Sequence, residues 1–132
     1  TPTPEPTTTP AQTPQVTPTP STVSFQNDVR PLLNQHCTGC HQSGRQQPNL
    51  QDNPYANLMA EETWCASAGR ALPTVAPGDP GASPLWRKVS DANMQMDCLR
   101  EMPPLGTGGL LTTHPLEAQV IHDWIAQGAL DN

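Results

Sequence analysis

The sequence predicts an all-α domain over residues 23–132, preceded by a disordered Pro/Thr-rich linker over residues 1–22. Three features predict it. Apolar residues recur at helical spacing in four separate stretches. Those stretches open on helix-start residues: Ser24, Asn53-Pro54, Ser83-Pro84 and Pro115. The intervals between them are rich in Pro and Gly, and no segment reads as a strand.

The first helix starts at Ser24, a good N-cap, and places Phe25, Val29, Leu32 and Leu33 on one face. Pro31 lies inside that pattern, removes one backbone donor and is expected to bend the helix. A polar loop follows from Gly44 to Leu50. Asn53-Pro54 then opens a short helix with Tyr55, Leu58 and Met59 as its apolar stripe. Pro73, Pro77, Gly78, Pro80 and Gly81 make residues 72–82 an extended loop, after which Ser83-Pro84 starts a helix carrying Leu85, Trp86 and Val89. From Asp91 to Thr113 no period is sustained, and Pro103, Pro104, Gly106, Gly108 and Gly109 argue against regular structure. The last helix has Pro115 in its first turn, a stripe of Leu116, Val120, Ile121, Trp124 and Ile125, and Gly128 as its stop.

Composition narrows the function. The first 20 residues are almost wholly Thr, Pro and Gln, which cannot fill a core. A net charge of −6 argues against nucleic acid and anionic membrane surfaces, and is compatible with docking on a basic patch of a redox partner protein. No apolar run is long enough to span a membrane, and no secretory leader is visible. Phe25, Tyr55, Trp64, Trp86 and Trp124 are the only aromatic rings, a thin supply for a domain of this size. A buried porphyrin would add the missing apolar mass.

The chemistry lies in Cys37-Thr38-Gly39-Cys40-His41. In a C-x-x-C-H segment two thiols add across two haem vinyl groups, which fixes their spacing. The adjacent imidazole then projects onto one axial face of the iron. A C-x-x-C pair is also found in zinc half-sites and thioredoxin-like redox pairs. The zinc alternative needs a second pair at compatible spacing, whereas Cys65 and Cys98 are far apart. The thioredoxin alternative needs a βαβ context, and no strand is expected. The segment therefore predicts one covalent haem c on Cys37 and Cys40, with His41 as an iron ligand.

A second ligand must come from downstream. Met59 fits a helix stripe and is expected to fill core space. Met94 and Met96 lie in a polar stretch with nothing to hold them. Met102 is followed by Pro103-Pro104, which restrict the backbone and lower the entropy lost when the sulfur binds iron. Met102 is the expected distal ligand, with Met94, Met96 or a His as alternatives. His36, His114 and His122 are expected to be ordinary surface residues, His114 being the first exception to consider. The other ring nitrogen of His41 needs an acceptor to orient it, for which the carbonyl of Pro48 is the candidate, with Leu50 covering the haem edge.

Taken together, Phe25-x-x-Asp28-Val29-x-Pro31-x-Leu33, Cys37-x-x-Cys40-His41, Pro77-Gly78-Asp79-Pro80-x-x-Ser83-x-Leu85, Met102-Pro103-Pro104 and Ile121-x-x-Trp124-Ile125-x-x-Gly128-Ala129 resemble the small class I-like cytochrome c domains of exported bacterial proteins. The resemblance covers nearly all of residues 24–129. It implies a small cytochrome c-like fold, with N- and C-terminal helices packed over the haem between His41 and Met102. Leu32, Leu85 and Trp124 would then lie near the haem or the helix crossing. The linker and the long interval between Asn49 and Met102 depart from the simplest members.

Covalent haem attachment takes place outside the cytoplasm, where leftover thiols are oxidised, so Cys65 and Cys98 are expected to form a disulfide. The alternative is two free buried thiols. The expected function is one-electron transfer without enzymatic activity, in a periplasmic or cell-surface setting. The linker is read as a tether to a membrane lipid or neighbouring domain, with a tail of no mechanical role as its alternative. Two rival functions are a cytochrome subunit fixed within a larger respiratory or extracellular redox complex, and a sensor or peroxidase-like enzyme in which Met102 leaves the iron.

Overall fold

A computed structural model of the chain describes residues 22–90, 98, 102–104 and 109–132. Apart from Thr22, the expected linker lies outside the described residues.

Ser24 caps the first helix as its sequence suggests, its hydroxyl accepting from the Asn27 N–H at 3.1 Å. The first turn, Phe25–Val29, is a wide π-type turn that runs straight into α1, Arg30–His36. Pro31 has no N–H to give the preceding turn, and the helix widens where that bond is missing. α2 spans Pro54–Ala60, α3 Pro84–Ser90, α4 Leu110–Thr113 and α5 Pro115–Ala126.

Between α2 and α3 the all-α expectation fails. Glu62–Cys65 forms β1 and Arg70–Pro73 forms β2, an antiparallel hairpin pairing Glu62 with Pro73 and Cys65 with Arg70. β1 alternates, burying Thr63 and Cys65 and exposing Glu62 and Trp64. The two buried threonines share a hydrogen bond, Thr63 Oγ1 to Thr74 Oγ1 at 2.8 Å. Each strand has only four residues, too few for a period to stand out from the flanking loops. The fold is therefore a small mixed one, helical with one hairpin. The absence of strands cannot be used against a thioredoxin-like pair, although this hairpin is not a parallel βαβ unit. The expectation of irregular chain from Asp91 to Thr113 also needs correcting, since Leu110–Thr113 is helical. Residues 91–97, 99–101 and 105–108, including Met94 and Met96, lie outside the described residues.

The core joins the first and last helices. Phe25 lies 5.2 Å from both Tyr55 and Trp124, ring centre to ring centre. Val29, Leu33, Leu58, Val89, Leu110, Ile121 and Ile125 complete a buried cluster around them. Each polar tip has a partner: Tyr55 Oη donates to the Ala129 carbonyl at 2.9 Å, and Trp124 Nε1–H to the Leu130 carbonyl at 2.9 Å. On α5 the buried stripe is Ala118, Ile121, Trp124 and Ile125, while Leu116 is 83% exposed. At the helical pitch Leu116 points about 140° away from Ile121, so its place in the expected stripe does not hold.

Candidate cofactor attachment site

α1 ends at His36, and the chain turns at once through the two cysteines. The Cys37 N–H donates to the Leu33 carbonyl at 2.8 Å, closing the helix. The His41 N–H donates to the Cys37 carbonyl at 2.8 Å, so both thiols and the imidazole sit on one turn. Cys37 is partly buried, Cys40 is exposed, and both are free thiols. Burial, reinforced by the neighbouring Cys40, pushes the Cys37 thiol up to about 11, so it is protonated at neutral pH.

The following loop folds back on this turn. Gly39's carbonyl accepts from Arg45 Nη1 at 2.9 Å, and the Cys40 carbonyl accepts from the Gln46 N–H at 3.1 Å. The Leu50 N–H donates to the His41 carbonyl at 2.9 Å, and the Leu50 side chain is buried in the core. His41 Nδ1 lies 3.1 Å from the Pro48 carbonyl. A carbonyl only accepts, so this bond puts the ring proton on Nδ1 and leaves Nε2 as the nitrogen able to ligate a metal. Asn57 braces the loop from α2, its Nδ2 donating to the Asn49 carbonyl at 2.9 Å.

Met102 is held by different means. Its N–H donates to the Lys88 carbonyl in α3 at 2.8 Å, and its carbonyl accepts from the Leu110 N–H at the start of α4 at 3.0 Å. Gly109 permits this arrangement. Its φ is +80°, and a Cβ there would lie 2.8 Å from the Val89 carbonyl oxygen, so α4 rests directly on the backbone of α3. Burial depresses the Lys88 pKa, with Glu61 acting in the opposite direction. Met102 and Cys37 are both partly buried and pack against the same core cluster. Leu32 and Leu85 pack against it too, whereas Trp124 lies fully inside.

Cys65 and Cys98 form a disulfide, with their Cα atoms 4.1 Å apart. It ties the end of β1 to the chain shortly before Met102. The cysteines thus divide into a bridged pair and an unbridged pair, and the unbridged pair is the one beside His41. That donor set fits a covalently held haem: two thiols on one turn and an imidazole whose outer nitrogen is already engaged.

Sequence reasoning did not find two features. Gly109 appeared only as one more helix breaker. His36, His114 and Glu117, treated as surface residues or passed over, converge: His36 Nε2 meets Glu117 Oε2, and the His36 and His114 rings are 4.5 Å apart. His114 and Glu117 are one helical turn apart, which is a visible signal, but nothing local marks His36 as their neighbour. His122 stays on the surface side, with its ring 4.9 Å from Trp86 and Nδ1 3.0 Å from Asp123 Oδ1. No protein-family model, curated protein or solved structure matches this chain.

Proposed function

We propose that this chain is an exported electron-transfer domain that holds one haem c covalently through Cys37 and Cys40. The observation that supports it most strongly is the bond from His41 Nδ1 to the Pro48 carbonyl on the same turn as two unbridged thiols. Cys37 and Cys40 would hold the haem by thioether bonds, each S–H adding across a vinyl C=C to form one C–S and one C–H bond with nothing released. When bound, the haem supplies a one-electron ferric/ferrous couple.

The protein's own groups perform the rest. Pro48 orients His41 and, by accepting its Nδ1–H, raises the basicity of the ligating nitrogen. Met102 would be the second, thioether ligand, and its backbone is held by Lys88 and Leu110, with the Cys65–Cys98 bridge a few residues before it. Two protein ligands leave no open iron position for a substrate, which favours a carrier over an enzyme. Thioether ligation raises the potential relative to two imidazoles. Disulfide formation supports a periplasmic or cell-surface setting, and partners are other redox proteins. The Pro/Thr-rich segment would tether the domain to a lipid or neighbouring module.

The test is expression alongside the c-type maturation machinery. The expected product keeps one haem through denaturation and acidic extraction, and a Cys37→Ser/Cys40→Ser variant keeps none. Recovery of haem-free protein with zinc on Cys37 and Cys40 would overturn the proposal.

A further inference from the structure

Outside the Cys37–His41 turn, among the described residues, three metal-ligating side chains from two distant stretches of the chain meet. His36 is the last residue of α1, His114 joins α4 to α5, and Glu117 lies in the first turn of α5. One potential ligand atom from each lies within 4.8 Å of the other two. His36 Nε2 faces Glu117 Oε2 directly, and the side chains of these two are 11% and 30% exposed. His114 is exposed, and its Nδ1 sits 3.0 Å from Thr113 Oγ1, an outer hydrogen bond of the kind that sets the orientation of a ligating imidazole.

We infer that His36, His114 and Glu117 form a binding site for a divalent late transition-metal ion, of which Zn(II) is the simplest case. Two imidazoles and one carboxylate suit Zn(II), Ni(II) or Cu(II). The nitrogen donors disfavour Mg(II) and Ca(II), and the lack of thiolate disfavours Cu(I). Ligand atoms around a tetrahedral zinc lie about 3.3 Å apart, given bonds of about 2.0–2.1 Å. The three candidate ligand atoms, one from each side chain, already lie within 4.8 Å of one another. A fourth position is left to water, because the site opens to solvent. A bound ion would clamp the end of α1 to the start of α5, one residue before Cys37.

The site does not depend on the haem proposal, and its test is arranged to keep the two apart. Full-length protein from cells with the c-type maturation machinery is treated with iodoacetamide, so that any unattached Cys37 or Cys40 is blocked. Zn(II) is then titrated calorimetrically into the wild type, His114→Ala, Glu117→Gln and His122→Ala. The expected result is one zinc per chain in the wild type and in His122→Ala, with binding weakened about tenfold or more in the other two. Far-ultraviolet circular dichroism verifies that the variants are folded, and substitution of the exposed His114 is the variant least able to disturb packing. No zinc uptake by the wild type, or equal uptake by His114→Ala, would overturn the site and leave a plain His36–Glu117 hydrogen bond.

Discussion

The His41 turn and the Met102 loop are proposed to serve the same iron, yet they are built in opposite ways. Between Cys37 and Leu50 nearly every constraint is local: Cys37 to His41, Cys40 to Gln46, His41 to Pro48 and Leu50. From outside, the Leu33 carbonyl of α1 accepts from Cys37, and Asn57 of α2 braces Asn49. Met102 takes its constraints from other elements of the fold: Lys88 in α3, Leu110 at the start of α4 with Gly109 before it, and a disulfide reaching back to β1. A locally closed site survives changes elsewhere in the fold. One assembled from distant elements is lost when any of them loosens, so damage to the fold should reach Met102 before it reaches His41.

The largest expected effect comes from removing the bridge. A Cys65→Ala/Cys98→Ala variant opens a loop of sequence separation 33 and should lose about 3–4 kcal/mol in urea unfolding. In the haem-loaded protein, the sulfur-to-iron band should disappear at lower urea than in the wild type, with imidazole ligation persisting beyond it. Simultaneous loss of both ligands would break the comparison.

Gly109→Ala is next. Its Cβ would meet the Val89 carbonyl oxygen at 2.8 Å from a backbone at φ +80°, so a loss of about 2–3 kcal/mol is expected in thermal or urea unfolding. An unchanged midpoint would mean that α4 does not rest rigidly on α3. Thr63→Val strands the buried Thr74 hydroxyl and should cost about 1–2 kcal/mol, again weakening the strand that anchors the disulfide. The smallest effect is expected for Asn57→Ala, about 1 kcal/mol, because the attachment loop is otherwise self-supporting. Hydrogen exchange at the Leu50 amide gives the sharper readout: faster exchange there with the Met102 amide unchanged would separate the two regions cleanly.

The same contrast explains what the sequence made legible. The Cys37–His41 turn could be picked out because its chemistry-bearing residues lie in one short segment, and the Pro48 carbonyl faces His41 seven residues further on. Ser24 and the leading prolines Pro54 and Pro84 marked helix starts through equally local chemistry, although the Asn53 side chain makes no capping bond. The hairpin was missed because β1 and β2 are four residues each, with alternation visible only once Thr63 and Thr74 are known to meet. Of the supports of Met102, the Cys65–Cys98 bridge was legible, whereas Lys88 and Leu110 contribute backbone groups, which any residue type has. Gly109 is one of several glycines in its segment, and its approach to the α3 backbone leaves no mark in the sequence. His36 could not be assigned to Glu117 from spacing alone, because the pair is 81 residues apart and meets only where the end of α1 reaches the start of α5.

The most direct test of the His41/Met102 proposal is the visible spectrum of the haem-loaded wild type beside a Met102→Ala variant, oxidised and reduced. The proposal predicts a low-spin wild type with a sulfur-to-ferric-iron band that the variant alone loses, while the haem stays covalently attached. A high-spin wild type, or a variant whose spectrum is unchanged, would contradict Met102 as the second ligand.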